Sequence, residues 1–133
     1  MATVTTKLTL SSTDLTSDTL DVSLADTLSI LGPNKSFRMT VAAASSDLEA
    51  DNKIAALGSW TKAYVLLHNT STDAAEIISI GDDTDNDGTL NSINIVLGAG
   101  EWCWFPWDST VDLVADAASG TPVLSVTIMQ VAA

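Results

Sequence analysis

The chain has 133 residues, 46% hydrophobic and 17% charged, and its 17 acids against 5 bases give a formal net charge of −12. A chain of this length fits one domain built round a single core, and no apolar run approaches the roughly 18 residues that a membrane helix needs. So acidic a field repels phosphate backbones and anionic headgroups, which sets nucleic acid and membrane surfaces aside as partners, while a single cysteine rules out an internal disulfide framework.

Met1 to Thr6, small and rich in threonine, reads as a flexible N-terminal arm on one domain spanning residues 1–133. From there apolar residues alternate with Thr, Ser, Asp or Asn, the period of half-buried strands. Leu8 and Leu10, then Leu20, Val22 and Leu24, then Leu28 and Ile30 mark three early strands, broken at Asp14, Asp18 and an Ala25-Asp26 corner. Gly32-Pro33-Asn34 is a strong turn, because glycine tolerates positive φ and proline fixes its own, and it leads into Met39, Val41 and Ala43. Between Ala42 and Gly58 the alternation loosens, and Ser45-Ser46-Asp47 is placed to cap one short helix near residues 46–57. Tyr64 to His68 is apolar on both alternating faces, the pattern of a central strand covered on both sides, and Asn69-Thr70-Ser71 ends it. Glu76 to Ile80, Ile93 to Leu97 and Val111 to Ala115 are further strands; in the last, Val123 to Met129, Leu124, Val126 and Ile128 face inward. Nine or ten short strands with little helix predict an all-β protein, an antiparallel β-sandwich of jelly-roll or immunoglobulin-like type.

Two segments concentrate chemistry. Asp82-Asp83-Thr84-Asp85-Asn86-Asp87-Gly88 sets carboxylates at alternate positions before a glycine, so Asp83, Asp85 and Asp87 are candidate calcium ligands: a hard cation wants several oxygens at once, and the glycine permits the wrapping turn. Asn94 stands at the twelfth position from Asp83 and strand patterns flank the loop, which excludes an EF-hand; a plain acidic hairpin turn is the competing reading. In Trp102-Cys103-Trp104-Phe105-Pro106-Trp107, Trp102 and Trp104 share one face of a strand and Cys103 and Phe105 the other. Trp102, Trp104, Phe105 and Trp107 are therefore candidate partner-binding residues, against the alternatives of a core cap or a sugar-stacking platform. Cys103, between two tryptophans, reads as a small apolar group, and the lone His68 as a rim residue. No nucleophile elbow, zinc motif, phosphate loop or paired catalytic carboxylates occur, so no enzyme is expected and no cofactor beyond calcium. All five bases lie before Ala63, leaving the second half acidic and suited to cations or a basic protein surface.

The stretch from Tyr64-Val65-Leu66-Leu67-His68-Asn69-Thr70 through Leu97-Gly98-Ala99-Gly100-Glu101 and Phe105-Pro106 to Val111-Asp112-Leu113-Val114-Ala115 and Val126-Thr127-Ile128 resembles small accessory virion proteins of tailed bacteriophages. The shared order is a strand ending in Asn, an Ile-Gly turn, a Leu-x-x-Gly-Glu corner, a proline and two valine-rich strands, over the last half of the chain. It looks most like the β-sandwich capsid decoration, or cement, proteins of marine and cyanobacterial phages. That resemblance implies a homo-oligomer, often a trimer, that sits on the virion capsid surface and staples neighbouring copies of the major capsid protein. Met1 to Thr6 would serve as its arm and Trp102 to Trp107 as its anchor. The missing basic and apolar signal regions in Met1 to Lys7 agree with assembly in the host cytoplasm. The rival expectations are a tail or fibre component, a calcium-dependent carbohydrate-binding module and a bacterial surface domain.

Overall fold

Side-chain alternation builds two layers. A computed structural model describes residues 2–13, 20–31, 34–43, 53–55, 62–84, 90–107 and 112–131. Its strands are β1 (Ala2–Ser12), β2 (Leu20–Ile30), β3 (Lys35–Thr40), β4 (Lys53–Ala55), β5 (Ala63–Asn69), β6 (Ile78–Asp83), β7 (Ser92–Leu97), β8 (Trp102–Trp107), β9 (Asp112–Ala117) and β10 (Val123–Gln130), with no helix among the described residues. On β10, Leu124, Val126 and Ile128 are buried while the residues between them are partly exposed; on β5, Ala63, Val65 and Leu67 do the same. These meet Ile78, Ile80, Leu113 and Ala115 of the opposite layer in one core. Each fully buried Val, Leu or Ile there contributes about 1.5–3 kcal/mol.

The layers are antiparallel sheets in the orders β3-β10-β5-β8 and β4-β9-β6-β7. From β3 onward the chain changes sheet at every connection except β6–β7. That is the winding of an eight-stranded jelly roll; an immunoglobulin-like sandwich keeps several consecutive pairs in one sheet. At the edge strand β8, Pro106 stands opposite Tyr64 and has no backbone N–H to offer outward.

Strands β1 and β2 form a separate two-stranded ribbon, paired from Ala2↔Ile30 to Ser12↔Leu20. This corrects two expectations. Residues 2–6 are the first half of a paired strand instead of a loose arm, held against Asp26 to Ile30. There is also no break at Ala25-Asp26: the Asp26 carboxylate accepts the Thr27 N–H at 2.8 Å within a continuous ladder, so cross-strand pairing overrides the turn preference of aspartate. The helix expected near residues 46–57 is not seen where the structure describes that stretch: Lys53–Ala55 is β4, paired to β9, and the rest lies outside the described residues. Strand β6 starts at Ile78, not Glu76, because Glu76 belongs to a turn closed by its N–H on the Asp73 carbonyl (3.0 Å). The outer face of β5 is only half covered, with Tyr64 and Leu66 partly exposed and His68 open.

Two backbone constraints hold the connections in place. Gly98 to Glu101 form a turn in which Glu101 N–H donates to the Gly98 carbonyl (3.1 Å) and Gly100 takes φ +76°, the second-corner geometry of a type II turn. At Gly81, next to the register shift in the β6–β7 ladder, an added Cβ would lie 1.6 Å from the Ser92 carbonyl oxygen, so no larger residue fits.

Asn69, fully buried, ties these parts together. Its side-chain amide donates to the carbonyls of Glu76 (2.8 Å) and Leu97 (3.2 Å), its side-chain oxygen accepts the Ser71 N–H (3.1 Å), and its backbone N–H donates to the Glu101 carbonyl (2.9 Å). Removing the amide leaves two carbonyls without their donor at about 1–3 kcal/mol each. We therefore expect Asn69→Ala to lower unfolding stability in urea by about 2–4 kcal/mol with an unchanged denaturant slope, and Asn69→Asp, which sets a carboxylate against two carbonyls, to lose at least as much.

Candidate functional site

Strand β8 divides its aromatic residues between two faces. Cys103, Phe105 and Trp107 turn inward with Leu67, Val65 and Ala63, while Trp102 and Trp104 point out with His68 and Leu66. Trp107 is buried, its indole N–H without a hydrogen-bond partner among the described residues, and Phe105 is half-buried against the core. The register turns these two of the four expected partner-binding residues to the core side. Trp104 stacks on Tyr64, with centroids 5.1 Å apart and planes at 24°, and Lys62 Nζ stands 5.4 Å from the Tyr64 ring centroid. Trp102 alone of the four is open, 60% exposed.

The hairpin supplies what the sequence reading left out. Val4, Leu8 and Leu10 of β1 and Leu20, Val22, Leu24, Leu28 and Ile30 of β2 all fall at even positions, hence on one face of the ribbon, opposite a face of Thr, Ser, Lys and Asp. The base of that face packs on the outer side of the β3-β10-β5-β8 sheet: Val4, Leu28 and Ile30 meet Tyr64, Trp104 and Met129. An Ile30↔Val131 bridge and the Leu31 N–H on the Gln130 carbonyl (3.1 Å) fasten it. Further out no described residue floors the face, and Leu8, Leu10 and Leu24 are 42%, 46% and 62% exposed. Between ribbon and sheet runs a groove of ≈ 680 Å³ with Leu8, Leu24, Leu66 and Trp102 on its walls and Lys7 and Asp26 among its lining. The even-position apolar series was the available signal, obscured by reading a corner at Ala25-Asp26.

A second apolar surface lies on the other sheet. Edge strand β7 carries no charge and no proline, and Ile93 and Val96 are 61% and 55% exposed. Charge is also divided: β3, β5, β8 and β10 hold Lys35, Arg38 and His68 but no acid, whereas β6 and β9 hold Asp82, Asp83, Asp112 and Asp116.

Of the expected calcium ligands, Asp85 and Asp87 lie outside the described residues. Asp83 closes β6 opposite Asp112 of β9; both are buried and both have partners. Among the described residues no three His, Cys, Asp or Glu side chains are grouped to hold a metal ion. Asn91 Oδ1 accepts both the backbone N–H (2.5 Å) and the hydroxyl (3.1 Å) of Thr84, which closes the near end of the acidic loop. His68 is exposed at the rim beside Trp102.

Comparison with known proteins finds no matching family model, no matching curated protein and no matching solved structure. The chemistry is therefore carried by the surfaces themselves.

Burial pushes the Cys103 thiol above its ordinary range, against a smaller opposing pull from a hydrogen bond with the Leu67 backbone. The folded chain thus holds this proton more tightly than the unfolded chain. The stabilisation is complete below the unfolded thiol's range and is lost as pH rises through the folded value. In alkaline urea titrations we expect a decline in stability that Cys103→Ala removes, and in the native protein a thiol that reacts with a disulfide reagent at least about tenfold more slowly than in the denatured chain.

Proposed function

We propose that this chain is a non-enzymatic structural component of a virion, a capsid decoration or cement protein that binds the major capsid protein on the outside of a phage head. The observation that carries the reading is the placement of two separate apolar surfaces on opposite sheets of one jelly roll: the hairpin groove with Trp102, and the β7 edge with Ile93 and Val96. A cement must grip two things at once, and a sandwich with one sticky surface per side meets that requirement. The jelly roll itself occurs in capsid and lectin domains, a fold-level analogy that agrees with the resemblance of the last half of the chain. The shell contact falls to β7, an uncharged edge that can accept a strand from a neighbour's sheet.

A carbohydrate-binding module is the second reading, favoured by one row across the outer sheet face. Trp102, His68, Ser125 and Arg38 stand side by side on β8, β5, β10 and β3, an indole platform followed by three hydrogen-bonding side chains.

Two measurements separate these. In co-sedimentation with expanded capsids, wild-type protein pellets with the shell, and Ile93→Lys/Val96→Lys, which blunts the edge without touching the core, binds at least about tenfold more weakly, equivalent to about 1.4 kcal/mol. Equal pelleting by the variant would exclude β7 as the contact. In affinity electrophoresis, migration unaffected by polysaccharide is the expected result; retardation that Trp102→Ala abolishes would favour the carbohydrate reading instead.

A further inference from the structure

We infer that the groove between the β1–β2 ribbon and the outer sheet face is the seam through which two copies of this chain join. This goes beyond the shell contact proposed above, which uses the opposite sheet.

Three observations lead there. An isolated two-stranded ribbon is marginal in water, yet this one runs eleven residues per strand, about 36 Å at the usual rise. Among the described residues only its base is packed on its own sheet, through Val4, Leu28 and Ile30. The outer half therefore needs a partner to be worth keeping straight.

Area sets the size of that partner. Leu8, Leu10, Leu24 and Trp102, at the exposures given above, present on the order of 400 Å² of apolar surface. One side of a standard protein interface contributes about 800 Å², a little more than half of it apolar. The patch thus supplies what one side of a standard interface requires.

A second copy of the chain is the partner that fits: in a two-fold contact each copy lays the same patch on the other, so both apolar faces are covered at once. The apolar seam provides the affinity, and the net charge of −12 on each copy opposes it at long range. Salt screens that repulsion, so association tightens as salt rises.

Size-exclusion chromatography with light scattering tests the seam on the full chain. The expected mass is twice the 13.9 kDa of one chain, with the dissociation constant falling several-fold between 50 and 500 mM NaCl, roughly where the screening length shortens from above 10 Å towards 4 Å. Leu24→Lys should weaken association at least about tenfold while keeping its thermal transition. A single-chain mass at every concentration, a three-chain mass, or a Leu24→Lys variant that associates as tightly as the wild type would overturn the seam. Ile93→Lys/Val96→Lys remains two-chained if the seam is right. A single-chain species that still pellets with capsids would refute the seam and leave the shell reading standing; two-chained protein that ignores capsids would do the reverse.

Discussion

A buried amide with no access to water sets the register of the whole aromatic segment. Asn69 ends β5, and its N–H reaches the carbonyl of Glu101, the residue just before β8 begins. A slip of one residue at that point would exchange the faces of β8, driving Trp102 and Trp104 into the core and turning Cys103, Phe105 and Trp107 out to solvent. The Asn69 side chain, in turn, binds the Glu76 carbonyl in the β5–β6 loop and the Leu97 carbonyl that ends β7. One residue thereby joins the two layers and decides which indole the molecule shows.

The second organising relation is between the sandwich and its ribbon. The sandwich is held by long-range pairings and a closed apolar core, whereas the ribbon is held by pairing within itself and by a small cluster at its base. Trp104 serves as the floor for that base, stacked on Tyr64. Trp102, two residues earlier and one row further along the same face, lies past the cover and lines the open part of the groove. The aromatic pair thus marks the boundary between what the chain buries for its own stability and what it offers outward.

Much of the sandwich was legible from period-two alternation, because β5 and β10 keep an in-and-out pattern over six or more residues, whereas β7 is mostly exposed and β9 mostly buried. The split of Trp102 and Trp104 from Cys103 and Phe105 was legible for the same reason. The choice between jelly roll and immunoglobulin-like winding was not, since it depends on which distant strands pair. Strand β4, three residues long, is too short to show a period. Asn69 reads in sequence as a strand-ending polar residue; its partners come from segments up to 32 positions away. Asp26 misled through its turn preference, which a full-length partner strand outweighs. Asp83 reads in sequence as a candidate calcium ligand of the acidic loop; its burial comes from the neighbouring Asp112 strand, a placement invisible to spacing.

The edges of the two sheets are unequal. Pro106 withholds a donor from the rim of β8, Lys35 and Arg38 put charge along β3, and β4 offers only three residues. Among the described strands of the sandwich only β7 is left bare, so strand addition to the sandwich is one-sided: a newcomer that zips onto β7 finds no equally bare rim on the opposite sheet from which the ladder could continue.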